Sequence, residues 1–194
     1  MLTPEFFARD TVAVAHDLIG AEIIAGTGTD AVTGRIVEAE AYLGQADPAS
    51  HAGRGWTPRS AIMFGPPAVA YVYLIYGMHH CLNFVTEPEG TPGAVLIRAI
   101  EPLSGREVMA LRRGLDPAAC RDQDIASGPG RLCQALGIDL SWNGVPLGSA
   151  APRLAVRSVS GNGVRVERTP RIGIRKALDL PYRFVAAGSP CLTD

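Results

Sequence analysis

Val69-Ala-Tyr-Val-Tyr-Leu-Ile-Tyr-Gly-Met-His-His-Cys-Leu-Asn-Phe-Val-Thr86 is the stretch of sequence that decides the fold. Both of its ends are rich in β-branched and aromatic residues, which favour strands. Between them lies Tyr76-Gly-Met-His79, whose glycine supplies the bend that a tight turn needs. The stretch therefore predicts a β-hairpin with strands at Val69–Ile75 and Cys81–Thr86.

The predicted turn of this hairpin carries unusually large side chains. Turns are usually built from Gly, Asn, Asp and Pro, but here Tyr76 and Met78 occupy the tip. Large apolar groups are costly to expose unless they fold back or meet a partner. A DNA duplex is one such partner, because a wedge of this kind can enter the base stack. The alternative is an aromatic ring that packs against its own core.

Strand and turn signals recur on both sides of the hairpin. They predict strands at Ala21–Ala25, Gly34–Tyr42 and Ala94–Ile100 and near residues 153–159, 163–168 and 182–186. Four helices are expected. The first starts at Thr3-Pro4, and the second, Thr11–Ile19, follows a cap at Asp10. The third runs from a cap at Ser104 to about Arg113, and the fourth covers Arg131–Leu136. Residues 43–68 are expected to form a long loop, and such loops are often functional. The predicted fold class is α+β: one mixed domain, residues 1–194, with a curved, largely antiparallel sheet, peripheral helices and a protruding hairpin.

Composition excludes several classes of protein. The chain has 194 residues, of which 47% are hydrophobic and 19% charged, which excludes a disordered or fibrous protein. With 22 glycines and 15 prolines a pure helical bundle is not expected. The four cysteines form no C-x-x-C pair and fit neither a zinc site nor a disulfide framework. No signal peptide or membrane span is visible, so we expect a cytoplasmic protein, associated with the nucleoid if bacterial.

Charge is distributed unevenly along the chain. The formal net charge is −1, but residues 1–97 carry a net −6 and residues 98–194 a net +5. No acidic residue lies between Asp47 and Glu87, where Arg54, Arg59 and three of the four histidines are found. Acid-poor zones of this kind are compatible with a face for a polyanion, although a solvated surface is the alternative.

Two glutamates alternate along one predicted strand. Side chains at i and i+2 share a face of a strand, so Glu38, Glu40 and Tyr42 point the same way, with the two carboxylates about 6.6 Å apart along the strand. Strands are poor in Glu, and a carboxylate pair suits acid–base work on a glycosidic bond. Ordinary charges on a solvent-facing strand are the alternative.

Other polar and aromatic side chains stand out within apolar strands. Tyr71 and Tyr73 share a face that suits either stacking on a planar base or core packing. Asn83 must find partners if it is buried, or else face water on an edge strand. Arg98 is a charged residue within an apolar strand and needs an anionic partner. The sequence offers two candidates, Glu101 and a phosphate. Further on, Ser127-Gly-Pro-Gly-Arg131 presents backbone N–H groups at a helix start, where an anion can bind, but it lacks the ending of a Walker A loop.

A family resemblance covers nearly the whole chain. The motifs that carry it run in order and at compatible spacing: Arg35–Gly44, His51, Thr57–Arg59, Met63-Phe64, Tyr71–Met78, Cys81–Asn83, Val95–Leu103, Ser127–Leu136 and Pro170–Ile174. Together they resemble the alkyladenine (3-methyladenine) DNA glycosylases, including the mammalian-type members. The resemblance implies a monofunctional base excision repair enzyme that flips alkylated or deaminated purines out of duplex DNA and hydrolyses the N-glycosidic bond, leaving an abasic site.

The resemblance also assigns roles to individual residues. It makes Glu40 the base that activates water, with Arg98 beside it, near the water site and the DNA backbone, and Glu38 supporting. The residues implied to bind the flipped base are Tyr42, His51, Tyr73 and Asn83, and the residues expected to contact DNA are Tyr76, Met78, Arg59 and Arg131. No metal, redox cofactor, catalytic lysine or membrane is implied, and we expect a monomer. Two other functions stay open: a non-catalytic module that binds DNA lesions, and a carbohydrate glycosidase using Glu38 and Glu40.

Overall fold

The computed structural model describes residues 1–148, 153–159 and 163–193. Its helices are α1 (Pro4–Phe7), α2 (Thr11–Asp17), α3 (Arg106–Arg112), α4 (Asp122–Ala126) and α5 (Pro129–Leu136). Its strands are β1 (Glu22–Ala25), β2 (Val32–Tyr42), β3 (Ala70–Ile75), β4 (His79–Val85), β5 (Ala94–Ser104), β6 (Leu154–Arg157), β7 (Val166–Thr169) and β8 (Arg183–Ala186). Short 3₁₀ turns lie at Gly28–Asp30, His51–Arg54, Ala61–Phe64 and Leu140–Trp142.

The strands form one antiparallel sheet in the order β3-β4-β5-β2-β1-β6, with β8 attached to β2 and β7 to β8. The centre of β2 is therefore hydrogen-bonded on both sides, to β5 and to β8. The hairpin β3–β4 lies at the opposite edge from β6. This arrangement confirms the expected α+β class with a largely antiparallel sheet.

One hydrophobic core joins the sheet to its helices. Val37, Ala39 and Ala41 of β2 are buried in it, so Glu38, Glu40 and Tyr42 project from the other face of the strand. Helices α2, α4 and α5 pack on the central strands, and α5 lies against β4. A smaller cluster of buried residues, around Met63, Tyr71 and Val85, supports the hairpin from the loop side.

Two predictions about local structure need correction or refinement, and one short helix was not predicted. Ser104 does not cap α3: it is the last residue of β5, and Gly105, with a left-handed φ of 71°, begins the helix instead. Helix α4 was missed because its five residues are too few to show a helical repeat. Residues 43–68 contain two 3₁₀ turns within the expected loop. Asp10 caps α2 as predicted, since its side chain accepts from Ala13 N–H at 2.8 Å.

Within the described residues, no helix is both long enough and apolar enough to cross a bilayer.

Candidate active site

The middle of β2 presents two buried carboxylates. Glu38 and Glu40 are both fully buried, which rules out the solvent-facing alternative. The pairing of β2 with β5 shifts register on both sides of Glu38, and Arg98 is the residue of β5 that these shifts leave without a partner on β2. Irregularities of this kind re-aim side chains. Here the guanidinium of Arg98 reaches both glutamates.

Glu40 is held by donors from three parts of the chain. Its Oε2 accepts from the Tyr42 hydroxyl at 2.8 Å and from Arg98 Nη1 at 3.4 Å. Its Oε1 accepts from the backbone N–H of Ile172 at 2.7 Å. Burial raises the pKa of Glu40, although the charge of Arg98 and these hydrogen bonds oppose the rise. A carboxylate with a raised pKa is closer to the operating range of a general base.

Glu38 has a different environment. Its Oε1 accepts from Arg98 Nε at 2.7 Å, Arg183 Nε at 2.8 Å and the Thr193 hydroxyl at 2.5 Å, and its Oε2 accepts from Thr193 N–H at 2.7 Å. Burial disfavours the charged form, but the hydrogen bonds from Arg183 and Thr193 and the charge of Arg98 outweigh burial and lower the pKa of Glu38. The ionised form of Glu38 is thus favoured, and this carboxylate fixes Arg98.

The partners found for Arg98 correct one expectation. Glu101 was a candidate partner, but it instead accepts from Arg35 Nη1 at 3.2 Å and from the Ser189 hydroxyl at 2.6 Å. Arg98 and Glu101 are three residues apart on a strand, so their side chains leave opposite faces.

A cavity of about 300 Å³ lies beside Glu40. The three residues that hydrogen-bond to Glu40, namely Tyr42, Arg98 and Ile172, all line it. The wall contains all four residues predicted to bind a base, namely Tyr42, His51, Tyr73 and Asn83, and its described lining also includes Tyr71, Tyr76 and Cys81. A volume of about 300 Å³ is enough for one planar heterocycle.

Aromatic rings form one wall of this cavity. The rings of His51 and Tyr73 meet edge to face, with centroids 4.7 Å apart, and His51 Nδ1 is 2.8 Å from the Tyr71 hydroxyl. Burial, together with the charge of Arg59, lowers the pKa of His51 to about 4, so the imidazole is neutral at pH 7. Tyr71 and Tyr73 both face the cavity, since both line it.

Asn83 lies on β4, an inner strand, and is buried, so the edge-strand alternative is wrong. Its Nδ2 donates to the carbonyl of Tyr71 at 3.0 Å, which fixes the amide at the cavity wall.

The hairpin tip projects into solvent. Tyr76 is 83% exposed and Met78 is 69% exposed, so the alternative of a ring packed on its own core is wrong. Tyr76 also has a φ of 53°, in the left-handed region that a tyrosine seldom adopts. Tyr76 still contributes to the rim of the cavity.

The two predicted DNA-contacting arginines lie at different places. The guanidinium of Arg59 lies 5.3 Å from the centroid of the Tyr73 ring, at the edge of the cavity. Arg131 is on the exposed side of α5, outside the cavity lining, in a polar groove with Arg121 and Ser127. Helix α5 approaches the hairpin closely at Gly130, where an added Cβ would lie 3.1 Å from His79.

Sequence reasoning missed the residues that close the site from the far end of the chain. Ile172 N–H holds Glu40, and the neighbouring Arg171 is buried against Asp47 at 2.6 and 2.8 Å. Pro170–Ile174 was noted only for its family resemblance, and no local pattern reveals a partner this distant. Among the described residues, no group of three or more His, Cys, Asp or Glu could hold a metal ion.

Comparisons with known proteins show the family of the chain. A family model described as methylpurine-DNA glycosylase matches residues 5–190. A Koribacter versatilis protein, 47% identical over 95% of this chain and 89% of its own length, is designated as a 3-methyladenine DNA glycosylase. A Rhodopseudomonas palustris protein with the same designation is 49% identical over 97% of this chain and 88% of its own length. A Methanocella arvoryzae protein, also with this designation, is 45% identical over 100% of this chain and 96% of its own length.

Proposed function

Because the chain belongs to the methylpurine-DNA glycosylase family and is a monofunctional DNA glycosylase of base excision repair, we propose that it removes alkylated and deaminated purines from duplex DNA. Purines of the 3-methyladenine, hypoxanthine and ethenoadenine type are the expected substrates. One observation carries the proposal: the three residues that hydrogen-bond to the buried Glu40 all line a cavity beside an exposed tyrosine.

Glu40 is the proposed general base. A carboxylate offers about four acceptor positions. In the described structure Oε2 uses two, for Tyr42 and Arg98, and Oε1 uses one, for Ile172. The remaining acceptor position on Oε1 is the one proposed for the attacking water. Glu40 takes a proton from that water as the water oxygen bonds to the sugar C1′, while the C1′–N bond breaks and its electron pair leaves with the purine. The charge of Glu40 stabilises the oxocarbenium-like transition state.

Arg98 is the proposed partner of Glu40 in catalysis. Its Nε is fixed by Glu38, which leaves Nη1 directed at Glu40. The same carboxylates raise the pKa of Arg98 against the effect of burial, so the charge persists. Arg98 thus favours the ionised form of Glu40 against the effect of burial and supplies a donor at the edge of the cavity.

The aromatic wall is the proposed binding site for the flipped base. Tyr42, His51 and Tyr73 offer ring faces on which a purine stacks, a contact worth about 1–3 kcal/mol per base. A neutral His51 does not repel a cationic lesion such as 3-methyladenine. Asn83, held by Tyr71, is the residue proposed to disfavour guanine by crowding its exocyclic amine.

The hairpin tip and two arginines are the proposed contacts with the duplex. Flipping a base costs a few kcal/mol, and the ring of Tyr76 offsets part of this cost by filling the gap, with Met78 beside it. Arg59 and Arg131 bind phosphates. All of these residues belong to one proposed domain, residues 1–194, which acts as a monomer on DNA.

The two alternatives make different predictions. A carbohydrate glycosidase needs two carboxyl groups that act on the substrate bond, but Glu38 accepts four hydrogen bonds from Arg98, Arg183 and Thr193 and is committed to these partners. A non-catalytic module would bind lesions without releasing a base.

Duplexes with a single hypoxanthine, ethenoadenine or 3-methyladenine test the proposal directly. We expect base release from at least one of them, strand breaks only after alkali, and no covalent adduct after borohydride treatment. An undamaged duplex is the control. Binding without release from all three lesions would favour the binding module, and hydrolysis of nitrophenyl glycosides would favour the carbohydrate glycosidase.

A further inference from the structure

Trp56 is a large aromatic side chain that the proposed site does not use. It is 66% exposed, in the segment between the 3₁₀ turns at His51–Arg54 and Ala61–Phe64. The other tryptophan, Trp142, is 4% exposed, with the guanidinium of Arg153 3.9 Å from its ring centroid. An exposed indole leaves a large apolar surface in water, which is typical of a binding surface.

The backbone on both sides of Trp56 is fixed. Gly55 N–H donates to the carbonyl of Ala52 at 2.8 Å, and the buried Ser60 hydroxyl donates to the carbonyl of Gly55 at 3.0 Å. Thr57 and Ser60 hydrogen-bond to each other through both side chains and backbone, at 2.9 to 3.1 Å. Trp56 is therefore presented from an ordered turn, which reduces the entropy lost when a ligand binds.

The surroundings of Trp56 are positively charged. Arg54 and Arg59 are exposed, and neither forms an ion pair within the part of the chain that the structure describes. No acidic residue occurs between Asp47 and Glu87. Arg59 also lies over Tyr73, so this surface continues into the cavity wall. Cations interleaved with an aromatic ring are the pattern that binds a nucleic acid strand.

We propose that Arg54, Trp56 and Arg59 form a second DNA contact, the loop contact, separate in sequence from the hairpin tip. Trp56 packs against a nucleotide of the bound duplex, while Arg54 and Arg59 neutralise the adjoining phosphates. The loop contact rests on the proposed function, because it assigns DNA to the surface beside the same cavity.

Intrinsic fluorescence tests the loop contact without any dependence on catalysis. Undamaged duplex is titrated into the full chain, with binding followed independently by the anisotropy of a labelled DNA end. Because Trp142 is buried, we expect the change in tryptophan emission on binding to come from Trp56 and to disappear in Trp56→Phe. Trp56→Ala should weaken DNA binding at least fivefold.

The matched control is Leu111→Ala, which removes an apolar side chain on α3 that is also 66% exposed. It should leave DNA affinity unchanged. Arg54→Ala should reduce the slope of log affinity against log salt by about one unit. Two results would overturn the loop contact without bearing on the glycosylase activity. The first is unchanged tryptophan emission from an enzyme that anisotropy shows to be saturated with DNA, and the second is equal DNA affinity for Trp56→Ala and Leu111→Ala. Failure of the wild-type enzyme to release a base from any lesion would instead contradict the proposed function.

Discussion

The backbone N–H of Ile172 donates to Oε1 of Glu40 at 2.7 Å, although 132 residues separate the two in sequence. The segment that supplies this donor is fixed by the neighbouring Arg171. That guanidinium is buried against Asp47, donates to the carbonyl of Ala41 at 2.8 Å, and lies 4.7 Å from the ring centroid of Tyr42. The geometry of Glu40 therefore depends on a buried ion pair outside the cavity.

Asp47→Ala should destabilise the fold strongly. The substitution leaves the Arg171 guanidinium buried without its carboxylate, which costs about 3–5 kcal/mol in the free energy of unfolding. Urea denaturation at pH 7 measures the loss. The control is Asp17→Ala, which breaks a half-exposed pair with Arg9 and should cost less than about 1 kcal/mol. Equal costs for the two variants would show that the Arg171 pair does not anchor the fold.

Tyr42→Phe should move the acidic limb of the pH–rate profile upward. A general base must be ionised, and burial raises the pKa of Glu40 above its ordinary 4.5, so the wild-type rate falls with acid at a pH above that value. The Tyr42 hydroxyl stabilises the carboxylate, and its loss raises the pKa of Glu40 further while the ring for stacking remains. Single-turnover base release across pH measures the shift. The control is Tyr73→Phe. The hydroxyl of Tyr73 interacts with Cys81, so its removal should leave the acidic limb of the pH–rate profile in place. Identical limbs for wild type and Tyr42→Phe would argue against Glu40 as the titrating base.

Glu38→Gln should remove a stabilisation that depends on pH. The pKa of Glu38 is lowered in the folded state, so its contribution is complete above its ordinary value of 4.5 and is lost as pH falls through the folded pKa. At pH 7 the variant should be about 3–5 kcal/mol less stable than wild type, and the gap should narrow with acid.

Glu40→Gln is the matched control for this measurement. Because the folded pKa of Glu40 is raised, its gap to wild type should change with pH in the opposite direction. A Glu38→Gln gap that stays constant from pH 7 to pH 3 would contradict the ionic role of Glu38.

Tyr76→Gly should separate stability from DNA binding. The tyrosine has a φ of 53° and is 83% exposed, so glycine relieves a strain of about 1 kcal/mol and removes little packing. We expect unchanged or raised stability together with faster dissociation from lesion-containing duplex. Stopped-flow dissociation and urea denaturation give the two readouts, and Met78→Ala tests the other exposed tip residue. A dissociation rate equal to that of wild type would remove Tyr76 from the wedge role.

Much of this fold could be predicted from local sequence. The hairpin, the alternation of Glu38, Glu40 and Tyr42, and the cap at Asp10 follow from periods of two residues and from turn chemistry, so they appear in the structure close to where they were expected. The error at Ser104 was also local, because both a serine and a glycine can begin a helix and Gly105 took that position.

The environment of the site could not be predicted in the same way. Which carboxylate pairs with Arg98 depends on the register shifts between β2 and β5, and the donors Ile172, Arg183 and Thr193 come from segments far along the chain. The different pKa directions of Glu38 and Glu40 arise from those donors, not from the alternating pattern that the two glutamates share.

Single-turnover base release by Glu40→Gln tests the central claim most directly. Wild type and variant are compared on a duplex with one hypoxanthine, at enzyme concentrations that saturate binding by anisotropy, with abasic sites revealed by alkali. The account predicts that Glu40→Gln binds within a few-fold of wild type and releases the base about 10²- to 10⁴-fold more slowly. Base release at the wild-type rate by a variant that binds normally would contradict the assignment of Glu40 as the general base.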